Sequence, residues 1–171
     1  MNHPSQRDRR EQALPALDRF FEQQSRGASL ATQMRNDRVR DRLMEFLAEA
    51  DMSRCLDLRE NAQLAATRAR GDGFFGVFGL EELLVCLVRF VDDDWLLEPV
   101  TDARAQVMLA GRLAAWLQRS GLLDRDLLGC AAYETEAAVE AARVALGSSR
   151  KEPPAADRPA LRLIRGGRAD P

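Results

Sequence analysis

The chain has 171 residues, of which 46% are hydrophobic and 30% are charged, and its formal net charge is −2. This length suits one ordinary domain with a core, and the composition excludes an intrinsically disordered chain. The longest apolar stretch, around residues 80–91, contains Glu81, Glu82 and Arg89, which excludes a membrane span. The basic N-terminus lacks the apolar stretch of a secretory signal, so we expect a cytoplasmic protein.

Apolar residues recur at helical spacing up to Leu146, and strand-like alternation is hard to find. We therefore predict an all-α fold, a single compact helical domain of five to seven helices. The domain is expected to cover residues 11–147. A flexible N-terminus of residues 1–10 precedes it, and a disordered linker and docking tail of residues 148–171 follows it.

The first three helices are predicted from their apolar residues and caps. The first helix contains Leu14, Leu17, Phe20 and Phe21, and Pro15 is compatible with it only inside the first turn. Ser29 is the predicted N-cap of the second helix. The apolar face of that helix is formed by Leu30, Met34, Val39, Leu43, Phe46 and Leu47. A third helix is expected to begin at Asp51 or Ser53 and to end near Ala69.

Residues 71–79 contain four glycines and three phenylalanines. This composition predicts a buried bend between helices, here called the elbow. The fourth helix, about residues 80–93, is apolar on most faces and is predicted to be central. Thr101 or Asp102 is the predicted N-cap of a fifth helix, which Gly121 closes. A sixth helix is expected to begin at Asp124 and to end at residues 146–147.

The sequence does not support enzymatic chemistry. His3 is the only histidine, so Ser-His, Cys-His and His-based metal sites lack a base or ligand. The elbow glycines lack the strand and the Lys-Ser/Thr pair of a phosphate-binding loop. The acidic run of residues 92–94 is interpreted as solvated, and the three cysteines as buried thiols. We predict no enzyme, no cofactor and no metal.

Three arginines of the second helix, Arg35, Arg38 and Arg42, lie at positions i, i+3 and i+7 and therefore on one side. Such a stripe could contact nucleic-acid phosphates. The interleaved Asp37 and Asp41 favour ion pairs within the helix instead. A DNA-associated regulator of phage or mobile-element type is therefore the alternative function.

The C-terminal tail is basic, whereas the body is acidic. Beyond a spacer with two prolines, the tail contains the docking segment, residues 158–165, which reads Arg-Pro-Ala-Leu-Arg-Leu-Ile-Arg. Exposed aliphatic side chains gain nothing in water, so Leu161, Leu163 and Ile164 predict a peptide that binds a partner's groove. The alternative is that this segment folds back on the body.

The docking segment resembles the C-terminal tethering peptide of SspB-type proteolytic adaptors. In that family an Arg-Pro-x-Leu-Arg-Val-Val-Lys-like motif docks on the zinc-binding domain of the ClpX unfoldase. Here Leu163-Ile164 replaces Val-Val and Arg165 replaces Lys, and the resemblance covers about eight tail residues. It implies that the partner-binding residues are Arg158, Pro159, Leu161, Arg162, Leu163, Ile164 and Arg165.

These observations predict a non-enzymatic regulatory or adaptor protein that acts through protein contacts. The chain has abundant arginine and a single lysine, which is typical of a GC-rich bacterial genome. A ClpX-type unfoldase is the expected partner of the tail. Self-association of the body as part of a larger assembly is left open.

Overall fold

A computed structural model describes residues 6–123 and 129–148 of the chain. Over these residues the fold is all-helical, as predicted, and contains no strand. The six helices are α1 (Gln6–Ser25), α2 (Leu30–Glu49), α3 (Leu58–Ala69), α4 (Leu80–Phe90), α5 (Val100–Arg119) and α6 (Gly129–Ser148). Two short 3-10 turns, Phe74–Gly76 and Asp93–Trp95, lie on either side of α4. None of the helices in this part of the chain combines the length and apolar character needed to cross a membrane.

Helix α1 begins earlier than predicted, at Gln6 rather than near residue 11. Pro15 consequently lies in the interior of the helix, so its predicted place in the first turn is wrong. A proline inside a helix lacks the N–H of the normal i to i−4 hydrogen bond. Packing outweighs this local cost, because Ala13, Leu17 and Phe20 on the same helix are almost fully buried.

Helix α2 begins as predicted, with Ser29 Oγ accepting a hydrogen bond from the Thr32 N–H at 3.3 Å. Its apolar face is buried only from Val39 onward. Leu30 and Met34, at the start of the predicted apolar face, are 72% and 54% exposed. Helical spacing identifies a face of a helix, but it does not tell how far along that face the neighbouring helices reach.

Helix α3 begins at Leu58, and its N-cap is Asp57 rather than Asp51 or Ser53. Asp57 Oδ1 accepts from the Glu60 N–H at 2.7 Å, and Glu60 Oε2 accepts from the Asp57 N–H at 2.9 Å. This reciprocal capping box satisfies two backbone donors at once. Asp51 and Ser53 instead form a turn ahead of the helix, in which Asp51 Oδ1 accepts from the Ser53 N–H.

The elbow is buried and α4 is central, as predicted. The elbow buries four large side chains: Phe74, Phe75, Val77 and Phe78. Its turn requires Gly71, whose φ of +83° is a conformation that side chains resist. Helix α4 ends at Phe90 and contains four side chains with no exposed surface: Leu83, Leu84, Cys86 and Leu87.

Helices α5 and α6 pack closely together. The N-cap of α5 is Pro99 rather than Thr101 or Asp102, and Gly121 closes the helix with φ +70°. A Cβ atom on Gly111 would lie only 3.1 Å from Val139 Cγ1, so glycine allows α6 to approach. The predicted start of α6 at Asp124 lies outside the described residues.

Candidate functional site

The residues predicted to bind a protein partner lie outside the described residues. They are Arg158, Pro159, Leu161, Arg162, Leu163, Ile164 and Arg165. The described part of the chain ends with α6, whose last turn is attached to α5. An Arg104 guanidinium nitrogen donates to the Leu146 carbonyl oxygen at 2.7 Å. The tail therefore starts from a defined point on the body.

Two of the three arginines predicted to contact nucleic acid bind one buried carboxylate. Arg35 Nε lies 3.0 Å from Asp102 Oδ1, and Arg38 Nη2 lies 2.9 Å from Asp102 Oδ2. The Asp102 side chain is only 4% exposed. A buried carboxylate is strongly destabilising without a charge partner. Arg35 and Arg38 therefore join α2 to the first turn of α5.

Arg42 has three kinds of partner in the chain. Its Nη1 lies 2.9 Å from Glu45 Oε2, and its Nε donates to the Trp95 carbonyl oxygen at 3.1 Å. The guanidinium carbon also lies 4.6 Å from the centre of the Trp95 ring, a cation–π distance. Arg35, Arg38 and Arg42 do share a face, as their spacing predicts. Because all three side chains bind groups within the chain, the geometry gives no support to the nucleic-acid alternative, which stays a prediction.

An apolar cavity of about 490 Å³ lies between α1, α2 and the elbow. Its apolar lining includes Leu14, Met44 and Phe75, and Arg10 and Glu11 add charges of both signs. Leu14 is 40% exposed although it belongs to an apolar face of α1. The cavity has the chemistry to hold an apolar group flanked by charge. The sequence reasoning missed it, because helical spacing places Leu14 on an apolar face but does not show which neighbouring elements leave a cavity there.

The acidic run of residues 92–94 is partly neutralised inside the chain. Arg89 forms an ion pair with Asp92 one turn away, and residues 93–95 form a 3-10 turn. In the part of the chain that the structure describes, no group of three His, Cys, Asp or Glu side chains is placed to hold a metal ion.

The three cysteines differ in exposure. Cys86 on α4 is buried, Cys55 ahead of α3 is half-buried, and Cys130 on α6 is exposed, so the predicted burial is wrong for Cys130. The neighbouring Cys86 thiol lowers the pKa of the Cys55 thiol, whereas Cys55 and burial raise the pKa of the Cys86 thiol.

Two polar residues, the buried Gln106 and the half-buried Arg68, hold the body together and were missed by the sequence reasoning. Gln106 Nε2 donates to the Phe90 and Trp95 carbonyl oxygens at 2.8 and 3.1 Å, and its Oε1 accepts from the Leu97 N–H at 2.9 Å. Arg68 donates to the Leu47 and Ala50 carbonyl oxygens at the end of α2. For Gln106 a signal existed, since it is a lone amide in an otherwise apolar stripe of α5.

Comparisons of the chain with protein-family models, with curated proteins and with solved structures found no match.

Proposed function

We propose that the chain is a non-enzymatic bacterial adaptor or regulatory protein of the cytoplasm, whose docking segment binds a partner such as a ClpX-type unfoldase. The observation that carries this proposal is the composition of the docking segment. Three large aliphatic residues stand beyond a proline-containing spacer, next to two arginines. Such residues stabilise nothing in water, and a partner's groove gives them a surface to bury against.

The described body supports this proposal because its helices share one hydrophobic core. Its core cluster includes residues of all six helices, among them Leu17, Leu43, Leu84, Leu113 and Val139. The last turn of α6 is held against α5 by the hydrogen bond from Arg104 to the Leu146 carbonyl oxygen. The body then serves to hold a cargo or a second copy, and the tail serves to deliver it.

The residue types of the docking segment suit weak but selective binding. Pro159 restricts the backbone just before the contact residues, which lowers the entropy lost on binding. Leu161, Leu163 and Ile164 supply apolar anchors, and Arg162 and Arg165 attract an acidic surface. A single peptide of this length binds weakly, and two tails in a dimer would bind more tightly through effective concentration.

Titration of a synthetic peptide of residues 157–165 against a purified ClpX zinc-binding domain tests the proposal. We expect saturable binding that weakens as salt rises, since the arginines contribute to attraction. The matched control peptide replaces Leu161, Leu163 and Ile164 with serine and keeps every charge. If the control peptide binds as well as the native one, binding is only electrostatic and the proposed anchors are wrong.

The same interaction can be measured with the whole protein. We expect the full chain to be captured by a ClpX-type unfoldase and a shortened chain of residues 1–148 to be lost from the capture. Equal capture of both chains would assign the contact to the body rather than to the docking segment. Absence of binding by both the peptide and the full chain at low salt would overturn the proposal.

A further inference from the structure

Helix α6 is apolar on more sides than the body covers. More than half of its 20 residues are hydrophobic. Its inner side packs against α4 and α5, where Thr135 and Val139 are buried. The Thr135 hydroxyl donates to the Leu84 carbonyl oxygen of α4 at 3.2 Å, which fixes the rotation of α6 about its own axis. A surface helix normally has a polar outer side, so the apolar outer side of α6 indicates a further contact.

The outer side of α6 carries an exposed apolar stripe, here called the α6 face and formed by Tyr133, Ala137, Ala141 and Val144. Tyr133 and Val144 are 73% and 60% exposed, and both alanines between them are exposed as well. The four positions are three or four residues apart, so they lie on one side of the helix. The α6 face therefore has large side chains at its ends and small ones in the middle.

This order of sizes makes the α6 face complementary to itself when two copies of the helix run antiparallel. A two-fold axis level with Ala138 and Val139 brings position 133 of each copy opposite position 144 of the other. Tyr133 would then pack against Val144 at both ends of the contact. The alanines between them would let the two helices approach closely. A two-fold contact uses the same surface on both copies, so each α6 face would cover the other.

The charges beside the α6 face match in the same antiparallel register. Glu136 and Arg143 are both exposed, and their spacing of seven residues places them on the same flank of the helix. In the antiparallel register, Glu136 lies beside Arg143 of the second copy, and the two-fold axis repeats this pair. A parallel arrangement would put the two flanks on opposite sides of the contact and form neither pair. Charge complementarity therefore favours a second copy in the antiparallel direction.

Glu140 lies close to the α6 face, but it does not leave an unpaired charge there. Its Oε2 lies 3.6 Å from Arg143 Nη1 of the same helix, and both side chains are more than half exposed. In the antiparallel register, Glu140 is opposite Ala137 of the second copy, whose small side chain leaves the carboxylate a path to water. The contact therefore avoids the large cost of burying an unpaired charge.

We propose that the chain forms a homodimer through the α6 face, with the two α6 helices antiparallel. This interface goes beyond the proposed adaptor function and does not depend on the docking segment. The two α6 helices end on opposite sides of the contact, so the two tails leave the dimer about 28 Å apart along the helix axis. One dimer would present two docking segments to a partner.

Analytical ultracentrifugation of the full chain over a range of concentrations measures the dimer. We expect a monomer–dimer equilibrium whose Kd rises at least about tenfold when Tyr133→Ser and Val144→Ser are combined, because both apolar ends of the α6 face are lost. The matched control combines Met34→Ser with Leu58→Ser, which removes two exposed apolar side chains from α2 and α3. The control should keep the native Kd. A native chain that stays monomeric at every concentration, or equal weakening by both double variants, would overturn the proposal.

Charge reversal tests the register without changing the apolar stripe. Glu136→Arg and Arg143→Glu should each raise the dimer Kd at least about tenfold, since two attractive pairs become repulsive. The double variant with both changes exchanges the two charges and should regain the native Kd. Circular dichroism checks that each variant folds. A folded double variant that dimerises no better than the single variants would contradict the antiparallel pairing.

Disulfide trapping reports the direction of the helices directly. In a Cys130→Ser background, a chain with both Tyr133→Cys and Val144→Cys should give a covalent dimer on a non-reducing gel after mild oxidation. Either single variant should give little, because position 133 of one copy lies about 16 Å along the helix from position 133 of the other. Efficient linkage of a single variant to itself would indicate parallel helices and overturn the proposal. The charge exchange remains decisive if the cysteine variants fail to fold.

Discussion

Gln106 joins α5 to the chain between α4 and α5 through three backbone groups. Replacement by leucine keeps the size of the side chain but removes every one of these hydrogen bonds. We expect Gln106→Leu to lower the free energy of unfolding by about 2–4 kcal/mol, because buried backbone groups lose their partners. Urea unfolding followed by circular dichroism measures the change.

Gln118 on the same helix provides the matched control. Its Nε2 is buried and lacks a hydrogen-bond partner within residues 6–123 and 129–148. Gln118→Leu removes an unsatisfied donor, so we expect a change of at most about 0.5 kcal/mol or a slight stabilisation. Equal losses for the two variants would show that the amide network around Gln106 has no special role.

Arg35 and Arg38 give a second prediction, which separates a structural role from a nucleic-acid role. Replacing both with alanine leaves the buried Asp102 carboxylate without its two charge partners. We expect a loss of about 2–3 kcal/mol, below the value for fully buried pairs because both arginines are partly exposed. Arg19→Ala combined with Arg59→Ala removes the same charge from exposed positions and should cost less than about 1 kcal/mol.

Urea unfolding of both double variants and an electrophoretic shift assay of the native protein with DNA provide the measurements. If the Arg35/Arg38 variant is as stable as its control, and the native protein shifts DNA in a salt-dependent way, these arginines face nucleic acid rather than Asp102.

At the scale of elements, Pro15 is the main conflict between local sequence and fold. It is exposed in the interior of α1, where proline is strongly unfavourable. We expect Pro15→Ala to raise the free energy of unfolding by about 1–3 kcal/mol, since the helix gains a backbone donor. Gln12→Ala, an exposed position of the same helix, should change it by about 0.5 kcal/mol or less. Thermal and urea unfolding check both values, and a destabilising Pro15→Ala would mean that the ring itself packs usefully.

Helix positions were predictable from the sequence because apolar spacing reports which face is buried. The buried elbow, the central α4, the Ser29 cap and the glycine end of α5 were all confirmed. The start of α3 was missed, although the sequence carried a signal for it. Asp51, Ser53 and Asp57 are all good capping residues, and only Asp57 has a Glu three residues later to complete the box.

The candidate sites were less predictable than the helices. Spacing showed that Arg35, Arg38 and Arg42 share a face. It could not show that Asp102, on a helix distant in sequence, pairs with two of them. Such pairs are set by tertiary structure, about which local patterns carry no information.

At the scale of the whole molecule, a hydrophobic core shared by the six described helices makes a simple prediction. A chain of residues 1–148 should have the same free energy of unfolding as the full chain, within about 0.5 kcal/mol. A full-length variant with serine at positions 161, 163 and 164 should behave likewise. A loss above about 1 kcal/mol in either, measured by urea unfolding, would mean that the docking segment folds back on the body.

The hydrogen bond from Arg104 to Leu146 fixes the point from which the distance between the body and the docking segment is measured. Because the last turn of α6 is hydrogen-bonded to α5, the length of the linker is counted from a fixed position on the body. Thirteen steps along the backbone separate Ser148 from Leu161, and a fully stretched chain of that length spans about 45 Å. In the proposed complex, the end of α6 would therefore lie within that distance of the bound docking segment, a range comparable to the diameter of a small protein.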